Sequence, residues 1–163
     1  YNKTSGMFYY TSDVDPELIA RKMEISDNVI PASNSEMAKN LFLLGKYFYN
    51  DTYLNMSQKM LNNVKQNALD GGAYYANWDI LMAWFVSPPY EVVIIGKEFE
   101  TFRKEFNKYY LPNVFLSGGK TEGKLFMHKN KFIEGQTTIY VCQNKECKLP
   151  VTDFGKALKQ IKK

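Results

Sequence analysis

The chain is predicted to be an α+β protein: antiparallel helical hairpins, followed by a small, mostly parallel, three-stranded α/β unit. Three observations carry this prediction. Apolar residues recur at helical spacing through the first half of the sequence. The pattern then changes to "YEVVIIG", a compact β-branched run of the kind a strand buried on both faces requires. Between the two lies Pro88-Pro89, which ends a helix and marks the expected boundary between residues 1–88 and 89–163.

The elements follow in order. Residues 6–12, "GMFYYTS", have strand character and stop at the Asp/Pro-rich "DVDPE"; "LIARKMEI" continues as a second short strand, giving an irregular hairpin. Met37, Leu41, Leu44 and Phe48 then mark one face of a first helix, opened by the capping box Ser33-x-x-Glu36. Asp51 caps a second helix with Leu54, Leu61, Val64 and Ala68 on one side, ending near Gly71-Gly72. Tyr74, Trp78, Leu81, Met82 and Phe85 stripe a third, and the short connections make neighbouring helices antiparallel.

Beyond the prolines, "YEVVIIG" is followed by a helix bearing Phe99, Phe102, Phe106 and Tyr109, then by the strand "NVFLSGG". "TTIYVC" is the third strand, and Asp153 caps a last helix carrying Phe154, Ala157, Leu158 and Ile161. This alternation predicts parallel strands with right-handed crossovers.

Composition narrows the function. Of 163 residues, 45% are hydrophobic and 15% aromatic, which favours a packed core over disorder. The net charge of +4 divides into −2 for residues 1–88 and +6 for 89–163, but the lysines are dispersed. Dispersed charge reads as a solvated surface, so no nucleic-acid partner is expected. Apolar runs such as "LFLL" and "VVII" fall far below the ~20 residues of a membrane span, and no signal-peptide pattern is present. The default expectation is therefore a cytoplasmic protein without a membrane partner. The start at Tyr1, without an initiator Met, suggests a piece of a longer parent.

Candidate chemistry is sparse. Gly96 ends a strand before a helix, where a phosphate can sit, but "GKEFE" lacks the glycines of a phosphate-binding loop and reads as a turn. "SGGKTEG" at 117–123 likewise reads as a flexible turn. Cys142 and Cys147 with one distant His128 make too few ligands for zinc, so neither a metal nor another cofactor is expected. A hairpin can bring the cysteines together, but two ordinary reduced thiols are the main expectation. His128, in a charged loop without an orienting partner, is expected to be exposed and structural.

The richest stretch is "RKMEISDNVIPASNS". Glu24 and Asp27 are the candidate catalytic carboxylates, since two carboxylates in unlike environments share acid–base work. Arg21, Asn34 and Ser35 are candidate substrate-binding groups, with Tyr74 and Trp78 as rings on which a sugar stacks. The competing reading is that Arg21 pairs with an acid, Ser33 to Ser35 cap the helix, and the rings are core.

Several phrases together resemble one family. "GMFYYT", "LIARKMEISDNVIPASNSEMAKNLFLLG", "YEVVIIG", "NKYYLPN" and "EGQTTIYVCQNKECKLPVTD" are similar to the C-terminal region of the YyaL-like, spermatogenesis-associated thioredoxin-domain proteins. Family members usually read Pro-Ser-Gly-Asn-Ser where this chain has Pro31-Ala32-Ser33-Asn34-Ser35, and Arg-x-Lys-Glu where it has Arg21-Lys22-Met23-Glu24. The resemblance implies a longer parent with a thioredoxin-like domain and an α/α toroid of the six-hairpin glycosidase type. This chain would supply the last helical hairpins and the C-terminal unit. Its partners would be the rest of the parent and a saccharide, and it would be inactive alone. The alternative it leaves open is a non-catalytic interaction or structural module.

Overall fold

The computed structural model describes residues 1–16 and 19–161. The chain divides into two compact units, Tyr1–Val86 and Ser87–Lys163.

In the first unit, α1 (Ser33–Phe48), α2 (Asp51–Gly71) and α3 (Ala76–Val86) pack on one another, with a 3-10 turn over Gly72–Tyr75. Asn50, rather than Asp51, caps α2: its side chain accepts from the Tyr53 amide at 3.2 Å. Leu61, Val64 and Ala68 of α2 are buried as its spacing predicts, while Leu54 of the same stripe is half-buried. Helix α1 departs from expectation. Of its apolar stripe only Leu41 is buried; Met37, Leu44 and Phe48 are exposed. The buried face instead comprises Asn34, Ser35, Ala38, Leu41, Phe42 and Gly45, about a quarter turn away at 100° per residue. Gly45 is one cause: a Cβ there would lie 2.7 Å from the Leu54 side chain, so α2 packs close against this face. The hydrogen bonds of Asn34 and Ser35 are the other.

The predicted N-terminal hairpin is not a pair of strands. Among the described residues the segment holds one isolated bridge, Asn2–Met7, and one bond from the Tyr10 amide to the Lys22 carbonyl; Leu18 lies outside those residues. The reason is local. The Asn34 carboxamide takes both backbone groups of Phe8, accepting from its amide at 2.7 Å and donating to its carbonyl at 2.9 Å. A side chain thus stands where a neighbouring strand would pair.

The second unit is a four-stranded mixed sheet with order β2-β1-β3-β4, formed by β1 (Tyr90–Ile95), β2 (Val114–Gly119), β3 (Thr138–Gln143) and β4 (Glu146–Cys147). All six residues of β1 are buried, as its central place demands. Strand β2 runs parallel to β1, but β3 is antiparallel to it, which corrects the expected mostly parallel three-stranded unit. The connection explains the direction. The loop leaves β2 at Gly119 and re-enters at Thr138, both opposite Ile95, so the chain returns at the same edge and needs no crossover. Helices α4 (Phe99–Phe106) and α5 (Phe154–Gln160) cover one face. There Phe106, Ala157 and Ile161 join Val92, Ile94, Ile139 and Val141 in the core, with Phe99, Phe102 and Phe154 against them. Asp153 caps α5 by accepting from the Lys156 amide at 2.8 Å.

Cys142 and Cys147 form a disulfide rather than the two reduced thiols expected. Asn144 and Lys145 both have left-handed φ, 53° and 71°, the geometry of a two-residue hairpin turn. That turn sets Cys142 directly across from Cys147.

Candidate functional site

The carboxylate-rich loop converges on Asp27. Burial alone would raise the pKa of this side chain, which is 4% exposed, but hydrogen bonds from Ser35, Ala32 and Asn77 outweigh it and hold the pKa below the usual carboxylate value. Oδ1 accepts from the Ala32 amide at 2.9 Å and the Ser35 hydroxyl at 2.6 Å; Oδ2 accepts from the Asn77 amide at 2.9 Å. Ala32 is the N-cap of α1 and Asn77 lies in the first turn of α3. One carboxylate therefore serves the positive ends of two helices.

The neighbouring groups are equally engaged. Glu24 is exposed and accepts from the Ser33 amide at 3.0 Å, so two carboxylates do the work expected of the Ser33–Glu36 box; Glu36 instead pairs with Lys39. Asn34 is wholly buried and also donates to the Glu24 carbonyl at 2.9 Å. Ser35, also fully buried, is bonded to Asp27 and to the Ala32 carbonyl. Arg21 pairs with neither acid: it donates to the Thr11 carbonyl and lies 4.1 Å over the Tyr9 ring. Trp78 is fully buried, its indole N–H donating to the Ile25 carbonyl at 2.8 Å, which removes it as a stacking platform. Tyr74 is exposed, and its carbonyl accepts from the Asp27 amide at 2.7 Å.

So the structure brings Glu24, Asp27, Asn34 and Ser35 together, with Trp78 and the Tyr74 carbonyl bonded to the same loop, while Arg21 lies over Tyr9. Proton transfer needs an oxygen that reaches substrate. Both Asp27 oxygens instead accept from donors of the chain itself, Oδ1 from buried ones and Oδ2 from the part-buried Asn77 amide, and this arrangement holds backbone.

A second pair, Ser117 and His128, escaped sequence reasoning. His128 is buried, not exposed, and its Nε2 lies 2.6 Å from the Ser117 Oγ. Val114 and Leu116 face the core under α4 and α5, so strand alternation turns Ser117 to the opposite face, where His128 packs. Alternation was readable; the docking of residue 128 across a loop was not. A nucleophile–base pair needs a group that orients the far ring nitrogen. Here Nδ1 is buried without a hydrogen-bond partner among the described residues. A proton on Nε2, donated to Ser117, leaves only a bare lone pair at Nδ1, the less costly arrangement. The ring is a neutral structural group. Burial pushes its pKa below 6.5, with the Lys131 charge adding to this and the Glu122 charge opposing it.

That direction gives a pH dependence. The unfolded chain takes up a proton near pH 6.5 while the folded chain resists it, so stability is fully present above that value and falls as pH drops toward the lower folded pKa. His128 is the chain's one histidine, so the step is its own. Urea midpoints of the second unit are expected to fall between about pH 7.5 and 5 in wild type, and to stay level over that range in His128→Gln. A wild-type profile without this step refutes the neutral buried assignment.

Among the described residues no group of three or more His, Cys, Asp or Glu side chains is placed to hold a metal, and no helix is long and apolar enough to cross a membrane. No family model, curated protein or solved structure matches the chain.

Proposed function

We propose that this chain is a non-catalytic structural and interaction module rather than a working part of a carbohydrate-active site. One observation carries the reading: the best candidate acid, Asp27, is buried with both oxygens committed to helix N-termini. In this reading Asp27, Asn34 and Ser35 form an anchor that holds α1, α3 and the N-terminal segment in one arrangement. The exposed stripe Met37, Leu44 and Phe48 is the face offered to further helices of a longer parent, a toroid accompanying a thioredoxin-like domain as the family resemblance implies.

Thermal-shift and turnover screening of the parent against mono- and disaccharides tests the proposal. Glu24→Gln serves as the probe variant, because Glu24 is exposed and its loss leaves the Asp27 anchor intact. No saccharide is expected to raise the melting temperature or to be turned over. A sugar that stabilises wild type but not Glu24→Gln would sink the module reading and restore the loop as a binding wall.

A further inference from the structure

The two glycine–lysine turns that read as ordinary in the sequence meet in space. Gly96-Lys97 follows β1 and Gly119-Lys120 ends and follows β2, and the Gly96 amide donates to the Gly119 carbonyl at 3.0 Å. Both lysines therefore leave the same end of the sheet, at the carboxyl ends of its two parallel strands. They line one cleft of about 670 Å³, within the range of small-molecule sites.

The lining defines the chemistry. Among the described residues neither ammonium group is ion-paired. One carboxylate, Glu98, shares the cleft, which leaves it cationic. Two ammonium groups suit a dianion such as a phosphomonoester, which carries nearly two charges at neutral pH, better than a single carboxylate. The Thr152 hydroxyl and the Gln136 carboxamide add hydrogen-bonding groups. The remaining wall is apolar: Phe102 is half-buried and Phe132 is 42% exposed, so phenyl surface is open to a ring bound in the cleft. We infer that this cleft binds a small phosphomonoester bearing a flat ring, its phosphate held by Lys97 and Lys120 and its ring set against Phe102 and Phe132.

The test is amide NMR on the full chain with three probes: inorganic phosphate, adenosine 5′-monophosphate and adenosine, at roughly millimolar concentration. The monophosphate is expected to shift the Lys97, Lys120 and Gly135 amides and to bind at least about tenfold tighter than phosphate or adenosine alone. Lys97→Gln with Lys120→Gln should weaken it about tenfold or more, and Glu98→Gln should strengthen it. All three substitutions fall on exposed side chains, so the fold is kept and unchanged spectra elsewhere verify this. Three outcomes overturn the inference: no shifts at these amides, equal affinity for phosphate and monophosphate, or binding that survives the double lysine substitution.

Discussion

Replacing Asp27 with alanine is expected to destabilise the first unit by roughly 3–5 kcal/mol, the cost of removing a buried charged acceptor from three donors, two of them buried. Three donors lose their partner together: the Ala32 amide, the Asn77 amide and the Ser35 hydroxyl. Ser35 retains the Ala32 carbonyl, but the two amides have no alternative among the described residues. Asp27→Asn should be milder, about 2 kcal/mol, because one oxygen remains while the new NH₂ meets an N–H. The exposed Glu24→Ala should cost about 1 kcal/mol or less, since water replaces its carboxylate at Ser33. Both tryptophans, Trp78 and Trp84, lie in α3, so their fluorescence in urea reports this unit selectively. The pH dependence has a definite sign. Asp27 is held below its ordinary pKa of 3.8, so its contribution is fully present above that value and is lost as pH falls through the lower folded value. Equal midpoints for Asp27→Ala and Glu24→Ala would show that the carboxylate is not the anchor described here.

Particular residues show what can be read from sequence and what cannot. Strand β1 was legible because Val92, Val93, Ile94 and Ile95 have no polar face to turn outward, so only a central strand accepts them. Helix α2 was legible because Leu61, Val64 and Ala68 repeat at helical spacing and are indeed its buried face. Helix α1 was legible as a helix but not in its rotation. Its buried side begins with Asn34 and Ser35, whose partners Phe8 and Asp27 lie 26 and 8 residues away. Bonds of that kind leave no periodic trace, and hydropathy points to the other face. The direction of β3 was hidden for a related reason. It depends on where an 18-residue loop without a covering helix re-enters the sheet, a property of the fold rather than of "TTIYVC".

The candidate site divides the same way. Glu24, Asp27, Asn34 and Ser35 lie together in the fold, because residues flanking a helix start are close whatever they do. Their role was set by Asn77, 50 residues from Asp27, which takes the second oxygen. Without that contact Asp27 has an open lone pair and the look of an acid–base residue; with it, the carboxylate joins two helices. The apolar stripe of α1 is the counterpart. With Asn34 and Ser35 turned inward and Gly45 set against α2, Met37, Leu44 and Phe48 are left outward, so the anchor is one of the two causes of the exposed face.

The second large effect is expected at Gly96, where alanine should destabilise the second unit by roughly 3–5 kcal/mol, the combined cost of a forbidden backbone region and an overpacked contact. Its φ of 137° is one that L side chains rarely adopt, and an added Cβ would lie 2.5 Å from the Thr137 Cα and 2.6 Å from the Gln136 carbonyl oxygen. Both obstacles are backbone of the segment entering β3, so no side-chain rotation relieves them. Relief requires that β3 move away from β1 where Thr138 pairs with Ile95, which also breaks the bond from the Glu98 amide to the Thr137 hydroxyl at 3.0 Å. Gly135→Ala separates the two causes. Its φ of 80° is also unfavourable, but a Cβ there meets nothing within 4 Å, so it should cost only about 1–2 kcal/mol. Hydrogen exchange of the Ile95 and Tyr140 amides, in the pairing of β1 with β3, reads the outcome directly. Protection should collapse in Gly96→Ala and persist in Gly135→Ala. Comparable losses in the two variants would mean that backbone strain, not the approach of β3, is what requires glycine at the end of β1.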